Sequence, residues 1–316
     1  MIKIVTAFFD IGRGDRNTYK RTNEQYLAYF KFWARLRNEM VVYCSPEYSE
    51  RILKIRSDYG LRKQTEVVPL KNVFGVEADL FKRMQVIERD ASFKSFRYRD
   101  SIENTAKYSY IMLMKWWCVA DAASREERDD CFLAWVDFGY NHGGDRYTES
   151  KDFDFYWEYS FPRAVNIFCL ADPDQVSLID SLQFLSECCI GHTAIIRKDY
   201  CRHYWEMMLD AMNSLVKIGC IDDDQMLMLM VYRQEPGIHS VVICDWFEDF
   251  QRCSNQQFSV VEKDNEVEET HAQHVGITRR IIGSLMWCYH RLSDPEYPPK
   301  SDFLKRMDIR QKRYYG

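Results

Sequence analysis

Within roughly its first seventy residues the chain alternates short apolar runs with amphipathic segments, and that order admits few architectures. Ile2 to Phe9 is β-branched and aromatic and stops at Asp10-Ile11-Gly12-Arg13-Gly14. That reads as a strand running into a polar, glycine-bearing loop. Asn23 to Arg37 sets Tyr26, Leu27, Phe30, Trp33, Ala34 and Arg37 on one helical face. Met40 to Cys44 reads as a second buried strand, Ser45-Pro46 opens a second helix, and Glu66 to Leu70 is a third strand. Consecutive strand–helix–strand units favour a parallel sheet, because a parallel connection needs a long crossover. The expected fold class is α/β: a single Rossmann-like domain with a mixed, mostly parallel central sheet flanked by helices.

The remaining chain continues the theme. Residues 76 to 100 read as a charged helical insertion, Glu103 to Ser124 as a long helix, and Cys131 to Val136 as a buried strand. Residues 141 to 163 read as loop with short elements, and Ala164 to Leu170 as a strand. Glu187 to Arg197 is expected to be a strand broken at Gly191. Helices are expected from Asp199 to Val216 and from Gln225 to Tyr232, with a strand at His239 to Trp246. Residues 1–250 then form the catalytic domain, and 251–316 a mobile loop and a helical extension packed on it.

Composition narrows the function classes. A net charge of -5 offers no basic surface for nucleic acid. The 11 cysteines are scattered without a C-x-x-C pair, which reads as small core hydrophobes in a reducing compartment and not as a zinc site. No apolar run suits a secretory leader or a bilayer span, so a cytoplasmic protein is expected. Lys305 to Arg313 is mildly basic; it reads as a solvated terminal helix, with weak peripheral membrane contact as the alternative.

The chemistry-bearing segment is Ala134-Trp135-Val136-Asp137-Phe138-Gly139-Tyr140. An apolar strand delivers one carboxylate at its C-terminal end, where ligands bind in open α/β sheets, and Gly139 is expected to let the backbone turn sharply. A metal–diphosphate could sit there; a plain turn-capping aspartate is the alternative. Asp137-Phe138-Gly139 also spells the kinase magnesium tripeptide, but no glycine-rich loop, Val-Ala-Ile-Lys strand or His-Arg-Asp loop accompanies it. At the end of the first strand, Thr6, Ala7, Phe8, Asp10 and Arg13 could meet a nucleotide, although neither a P-loop nor a dinucleotide fingerprint is present.

Further candidates follow along the chain. Asn104 and Lys107 could meet diphosphate or sugar hydroxyls, whereas Lys115 reads as a lysine snorkelling at the edge of a packed helix. Gly191 permits close approach of a ligand, and His192 could bond a hydroxyl or help hold a metal. Asp222-Asp223-Asp224-Gln225 places three carboxylates at a helix N-terminus, more than capping needs. Asp223 or Asp224 could act as general base or grip a sugar, with a solvated acidic cap as the alternative. His271 and His274 lie in a charged loop, and His274 could complete a metal site with Asp137.

Thr6-Ala7-Phe8-Phe9-Asp10-Ile11-Gly12-Arg13, Glu103-Asn104-Thr105-Ala106-Lys107-Tyr108, Trp135-Val136-Asp137-Phe138-Gly139-Tyr140 and Asp223-Asp224-Gln225 together resemble the HtrL/YibB family of bacterial surface-glycan and lipopolysaccharide loci. That family in turn resembles GT-A-type nucleotide-sugar glycosyltransferases. The resemblance implies a UDP-sugar donor, an oligosaccharide or lipid-linked acceptor and often manganese or magnesium. It places Asp137 at the D-x-D position, Gly191 to Thr193 toward the acceptor, and Asp223, Asp224 and Gln225 near the transferred sugar. One departure stands out: Gly139 occupies the position of the second D-x-D carboxylate. A glycan-binding protein that kept the fold without catalysis is the alternative, with 8 Trp, 20 Tyr and 19 Phe available for stacking on sugars.

Overall fold

The structure is a computed structural model that describes residues 1–12, 21–98 and 101–261. Arg13, His271, His274 and the expected C-terminal extension from residue 262 lie outside the described residues. Met1–Val261 forms one compact unit. The strands are β1 (Ile2–Phe8), β2 (Met40–Cys44), β3 (Thr65–Pro69), β4 (Phe132–Val136), β5 (Val165–Cys169), β6 (Cys189–Arg197) and β7 (His239–Ile243). The helices are α1 (Asn23–Trp33), α2 (Ser49–Asp58), α3 (Ala78–Arg89), α4 (Ala91–Phe96), α5 (Ala106–Ser124), α6 (Leu178–Phe184), α7 (Cys201–Lys217), α8 (Asp224–Gln234) and α9 (Asp249–Arg252).

The described strands make one seven-stranded sheet in the order β3-β2-β1-β4-β6-β5-β7. β1, β2, β3 and β4 run parallel, β6 is antiparallel to both neighbours, and β7 is parallel to β5. The expected α/β class with a mixed, mostly parallel sheet is what the chain adopts. After β1 the chain winds outward through β2 to β3, then returns to place β4 on the other side of β1. The strand order therefore reverses between β1 and β4, and their carboxyl ends frame the crevice where open sheets bind ligands.

Helices cover the sheet. Leu27, Phe30 and Trp33 of α1 pack with Ile4, Val42, Val136 and Phe138 in one buried cluster that contains no residue of α5 or α7. α5 packs on β1 and β4, with α7 beside it. Burying rings such as Phe30 and Trp33 contributes about 1.5–3 kcal/mol each. The α1–β2 turn is fixed from beneath by Arg56 of α2, which is fully buried. Its guanidinium donates to the carbonyls of Ala34 (2.8 Å), Leu36 (2.5 Å) and Asn38 (3.0 Å) and to Thr65 Oγ1 (2.8 Å). One planar fork thus satisfies carbonyls that the end of α1 leaves open.

Four expectations need correction. The strand at 187–197 is not broken at Gly191: β6 runs unbroken from Cys189 to Arg197. The helix expected from Glu103 starts at Ala106, and Ile102–Asn104 is a separate turn before it. Residues 76–100 hold two helices, α3 and α4, because Asp90 ends one and caps the next through Ser92 N and Phe93 N. The strand at 239–246 stops at Ile243.

Candidate functional site

β4 carries Asp137 to the carboxyl end of the sheet, directly beside the point where the strand order reverses. The Asp137 amide donates to His192 O (2.8 Å), which ties it to β6. Its Oδ1 accepts from Trp135 Nε1 (2.7 Å) and from Lys115 Nζ (2.9 Å). Its Oδ2 has no hydrogen bond among the described residues, and the side chain is 34% exposed. Asp137 is thus an anchored carboxylate with one oxygen open.

Lys115 is the centre of the site and corrects the reading of a snorkelling lysine. Its side chain is 4% exposed and bridges Asp137 (2.9 Å) and Asp224 (2.9 Å), while a third bond goes to Gly191 O (3.0 Å). All three ammonium donors are used. Burial alone lowers a lysine pKa, but the two carboxylates outweigh it and raise the value above the ordinary one, so Lys115 is charged. Burial pushes Asp224 up to about 6, partly offset by Lys115 and reinforced by Asp137. A lysine inside the apolar run Met112-Leu113-Met114-Lys115-Trp116-Trp117 was the available signal: a charge on a buried helix face needs a partner.

The glycines explain themselves by proximity. A Cβ on Gly191 would sit 2.6 Å from Asp224 Oδ2 and 3.0 Å from its Cγ. Gly191 therefore makes room for the Lys115–Asp224 pair and not for a break in the strand. Gly191→Ala is expected to cost roughly 1–3 kcal/mol by overpacking; urea unfolding would measure it, and a cost below 0.5 kcal/mol would show that the pair has slack. The expected turn is there, closed by Tyr140 N donating to Asp137 O (2.9 Å), but Gly139 sits in it at φ −87°, a conformation open to any residue. What it requires is closeness, since an added Cβ would sit 3.0 Å from the Tyr26 ring. The positive φ values come just after it, at Asn141 (60°), His142 (42°), Gly143 (85°) and Gly144 (139°). Asn141 holds that bend by accepting from Arg146 N (2.8 Å) and Tyr147 N (2.8 Å) and donating to Tyr147 O (2.9 Å). Such backbone is costly and clusters at functional sites.

The acidic run divides by position. Asp222 is a buried partner of Arg97 (3.0 Å), whose guanidinium also binds the carbonyls of Leu182 and Ile221. Asp224 belongs to Lys115. Asp223 caps α8 by accepting from Gln225 N (3.0 Å) and has no ion pair among the described residues. Burial, then Asp224 and Asp222, raise its pKa well above the ordinary value. The folded protein therefore holds a proton that the unfolded chain gives up near pH 4, so Asp223 makes stability fall as pH rises through that window. Asp223→Asn keeps the cap and removes the titration. Its stability relative to the native protein should climb by about 1.4 kcal/mol per pH unit above pH 4. A difference that stays constant between pH 5 and 7 would refute this.

The other candidates are spread around the same end of the sheet. Thr6 is fully buried and its Oγ1 has no hydrogen-bond partner among the described residues; Gln225 Oε1 is likewise without one. Ala7 is half-buried. Phe8 is core: its ring stacks on Phe138 (4.8 Å), which stacks on Phe30 (4.4 Å). Asp10 is exposed; its Oδ1 accepts from Gly12 N (2.9 Å) and its Oδ2 from Asn23 Nδ2 (2.7 Å). Asn104 is buried in the turn before α5, and Lys107 is exposed on the first turn of α5. His192 is fully enclosed: its Nε2 accepts from Phe247 N (3.1 Å) and burial pushes its pKa down to about 3, so it is neutral with its proton on Nδ1. In that state Nε2 is not free for a metal or a sugar hydroxyl.

His142 is a neighbour that the sequence reading did not single out. It meets Arg21 Nη1 (3.0 Å) and Asp145 Oδ2 (3.1 Å), packs by its edge on Phe247, and feels the charge of Asp137. A separate groove of about 470 Å3, lined by Trp117, Asp121, Arg197 and Arg202 among others, lies near the amino end of β4 and not beside Asp137.

No described helix is long and apolar enough to cross a membrane. The chain is similar to mouse xyloside xylosyltransferase 1 in its apo form, at 10% identity and a TM-score of 0.39, over 79% of this chain and 90% of that one. It is 26% identical over 265 residues to Protein HtrL of Escherichia coli (strain K12), covering 79% of this chain and 91% of that protein. Residues 1–255 match the family model described as "Bacterial protein of unknown function (HtrL_YibB)". With a match from the first strand through the α8 acidic run and the end of the sheet, the chain belongs to the HtrL_YibB family.

Proposed function

We propose that the protein is a glycosyltransferase that takes a sugar from a nucleotide-diphosphate donor, a UDP-sugar, and adds it to a surface-glycan acceptor such as lipopolysaccharide or capsule. The observation that carries the reading is the Asp137 carboxylate, fixed through Oδ1 at the strand-order reversal and open at Oδ2. A leaving diphosphate gains negative charge and must be met by a cation or by fixed donors. Asp137 Oδ2 offers one hard oxygen, which suits a magnesium or manganese ion that takes its other ligands from phosphate oxygens and water. When bound, that ion would offset the charge of the departing diphosphate.

The chain's own residues have separable roles in this reading. Thr6, Ala7, Asp10 and Arg13 meet the nucleotide at the end of β1, and Asn104 and Lys107 reach the diphosphate. Lys115 holds Asp137 in one orientation and supplies buried positive charge behind it. Asp223, which keeps its proton in the folded protein, grips a hydroxyl of the transferred sugar, and Asp224 is the candidate proton acceptor for the attacking hydroxyl. Gln225 lies near the transferred sugar, its buried Oε1 without a hydrogen-bond partner among the described residues. His274 is kept as a further metal ligand, and the acceptor approaches from the Gly191 side.

A non-catalytic glycan-binding role has one observation in its favour: Lys115 already neutralises much of the charge of Asp137. Thermal unfolding with UDP and GDP, each with and without manganese, separates the two. Selective stabilisation by one nucleotide, stronger with the ion, supports the transferase, and at one hundred times Kd it amounts to about 2.7 kcal/mol. No response to any nucleotide, together with no nucleoside diphosphate released in a donor screen, would overturn it.

A further inference from the structure

Eleven cysteines without a recognisable spacing read as core thiols, yet the sheet gathers three of them at one point. Cys169 at the end of β5, Cys188 just before β6 and Cys189 on its first position all have their sulfurs within 4.8 Å of one another. Cys169 Sγ and Cys189 Sγ are 3.8 Å apart. Cys188 Sγ lies 3.6 Å from Ala171 O. All three side chains are buried.

Adjacent residues on a regular strand point to opposite faces. Here the β5–β6 register is irregular: Ile167 pairs with Ala194, but Cys169 pairs with Cys189. Cys188 lies outside the strand, and so its thiol can meet the other two. Zinc bound tetrahedrally to sulfur at about 2.3 Å separates its sulfurs by about 3.8 Å, the spacing of the Cys169–Cys189 pair. Thiolates select soft ions over magnesium or calcium.

We propose that Cys169, Cys188 and Cys189 form a binding site for a thiophilic d10 cation, zinc or copper(I), separate from Asp137. The cation bonds the three sulfurs, and every thiol that is protonated releases its proton to water. The site clamps the end of β5 to the start of β6. Gly191, whose carbonyl accepts from Lys115, stands two residues beyond Cys189, so an occupied site would stiffen the strand that backs the Lys115 cluster.

Titration of the reduced, metal-stripped full chain with Cd2+ alone tests the site. About one equivalent should bind with a thiolate charge-transfer band. The apparent affinity should fall more than about 100-fold in Cys188→Ser, beyond the 10–100-fold typical for residues that only support a ligand, and stay unchanged in Cys44→Ser. Because a core substitution could unfold the chain, the native protein gives its own readout: the 113Cd resonance should report sulfur ligands. Separate loading with Zn2+ and with Cu(I) distinguishes the two ions. Absence of the charge-transfer band in the native protein, an oxygen- or nitrogen-type resonance, or an unchanged affinity in a folded Cys188→Ser would each overturn the proposal.

Discussion

Lys115→Met should destabilise the protein by roughly 3–5 kcal/mol, the cost of leaving a buried charge without its partner. Methionine fills nearly the same volume, so little of the loss would come from packing. What it removes is the ammonium between Asp137 and Asp224, and Asp224 at 2% exposure has no other cation partner among the described residues. For a chain of 316 residues the melting temperature should drop by about 5–8 °C. The sign of the pH dependence follows from the two groups. The raised pKa of Lys115 means that its contribution is present throughout the range below 10.5 and is lost only as pH rises through the higher folded value. Without Lys115 the pKa of Asp224 rises beyond about 6, so the variant should lose stability as pH rises from 5 to 8. Adding Asp224→Asn should return much of the loss, because it removes the stranded charge. Urea unfolding at pH 5 and pH 8 measures all three effects, and a loss below 1 kcal/mol for Lys115→Met would mean that the bridge does not form.

Asp137→Asn should act in the opposite way, on turnover far more than on stability. Asparagine keeps the Oδ1 acceptor for Trp135 and Lys115 and takes away the charge of the open oxygen. Loss of one fixed electrostatic contact to a developing charge costs about 100- to 1,000-fold in rate. Release of nucleoside diphosphate in the presence of the identified donor, with a melting curve beside it, separates the two consequences. Asp223→Ala should slow the same reaction as an independent second probe. If both variants turn over at the native rate while remaining folded, the transfer chemistry is not done here.

Much of the fold was open to reading because its signals are local. β-branched runs of strand length and an α1 face repeated every three or four residues are each decided within a dozen residues. Asp137 could be singled out for the same reason: a carboxylate ending an apolar strand is visible as such. Lys115 was misjudged because its partners lie 22 and 109 residues away and nothing local distinguishes a snorkelling lysine from a bridging one. Gly191 was noticed for the wrong reason, since its neighbour Asp224 arrives from another element. Gly139 does lie in the expected turn, but what calls for a glycine there is the nearby Tyr26 ring.

The sequence by itself determined the element types, the α/β class and the run of chemistry-bearing side chains, because hydrophobic period and capping act between near neighbours along the chain. Only the tertiary structure decided that β4 lies beside β1, that β6 runs reversed, that Lys115 joins Asp137 to Asp224, and that three cysteines without a shared motif meet. Those outcomes depend on which distant segments are buried together, and in a low-dielectric interior each buried charge or thiol takes its character from whatever the fold places against it.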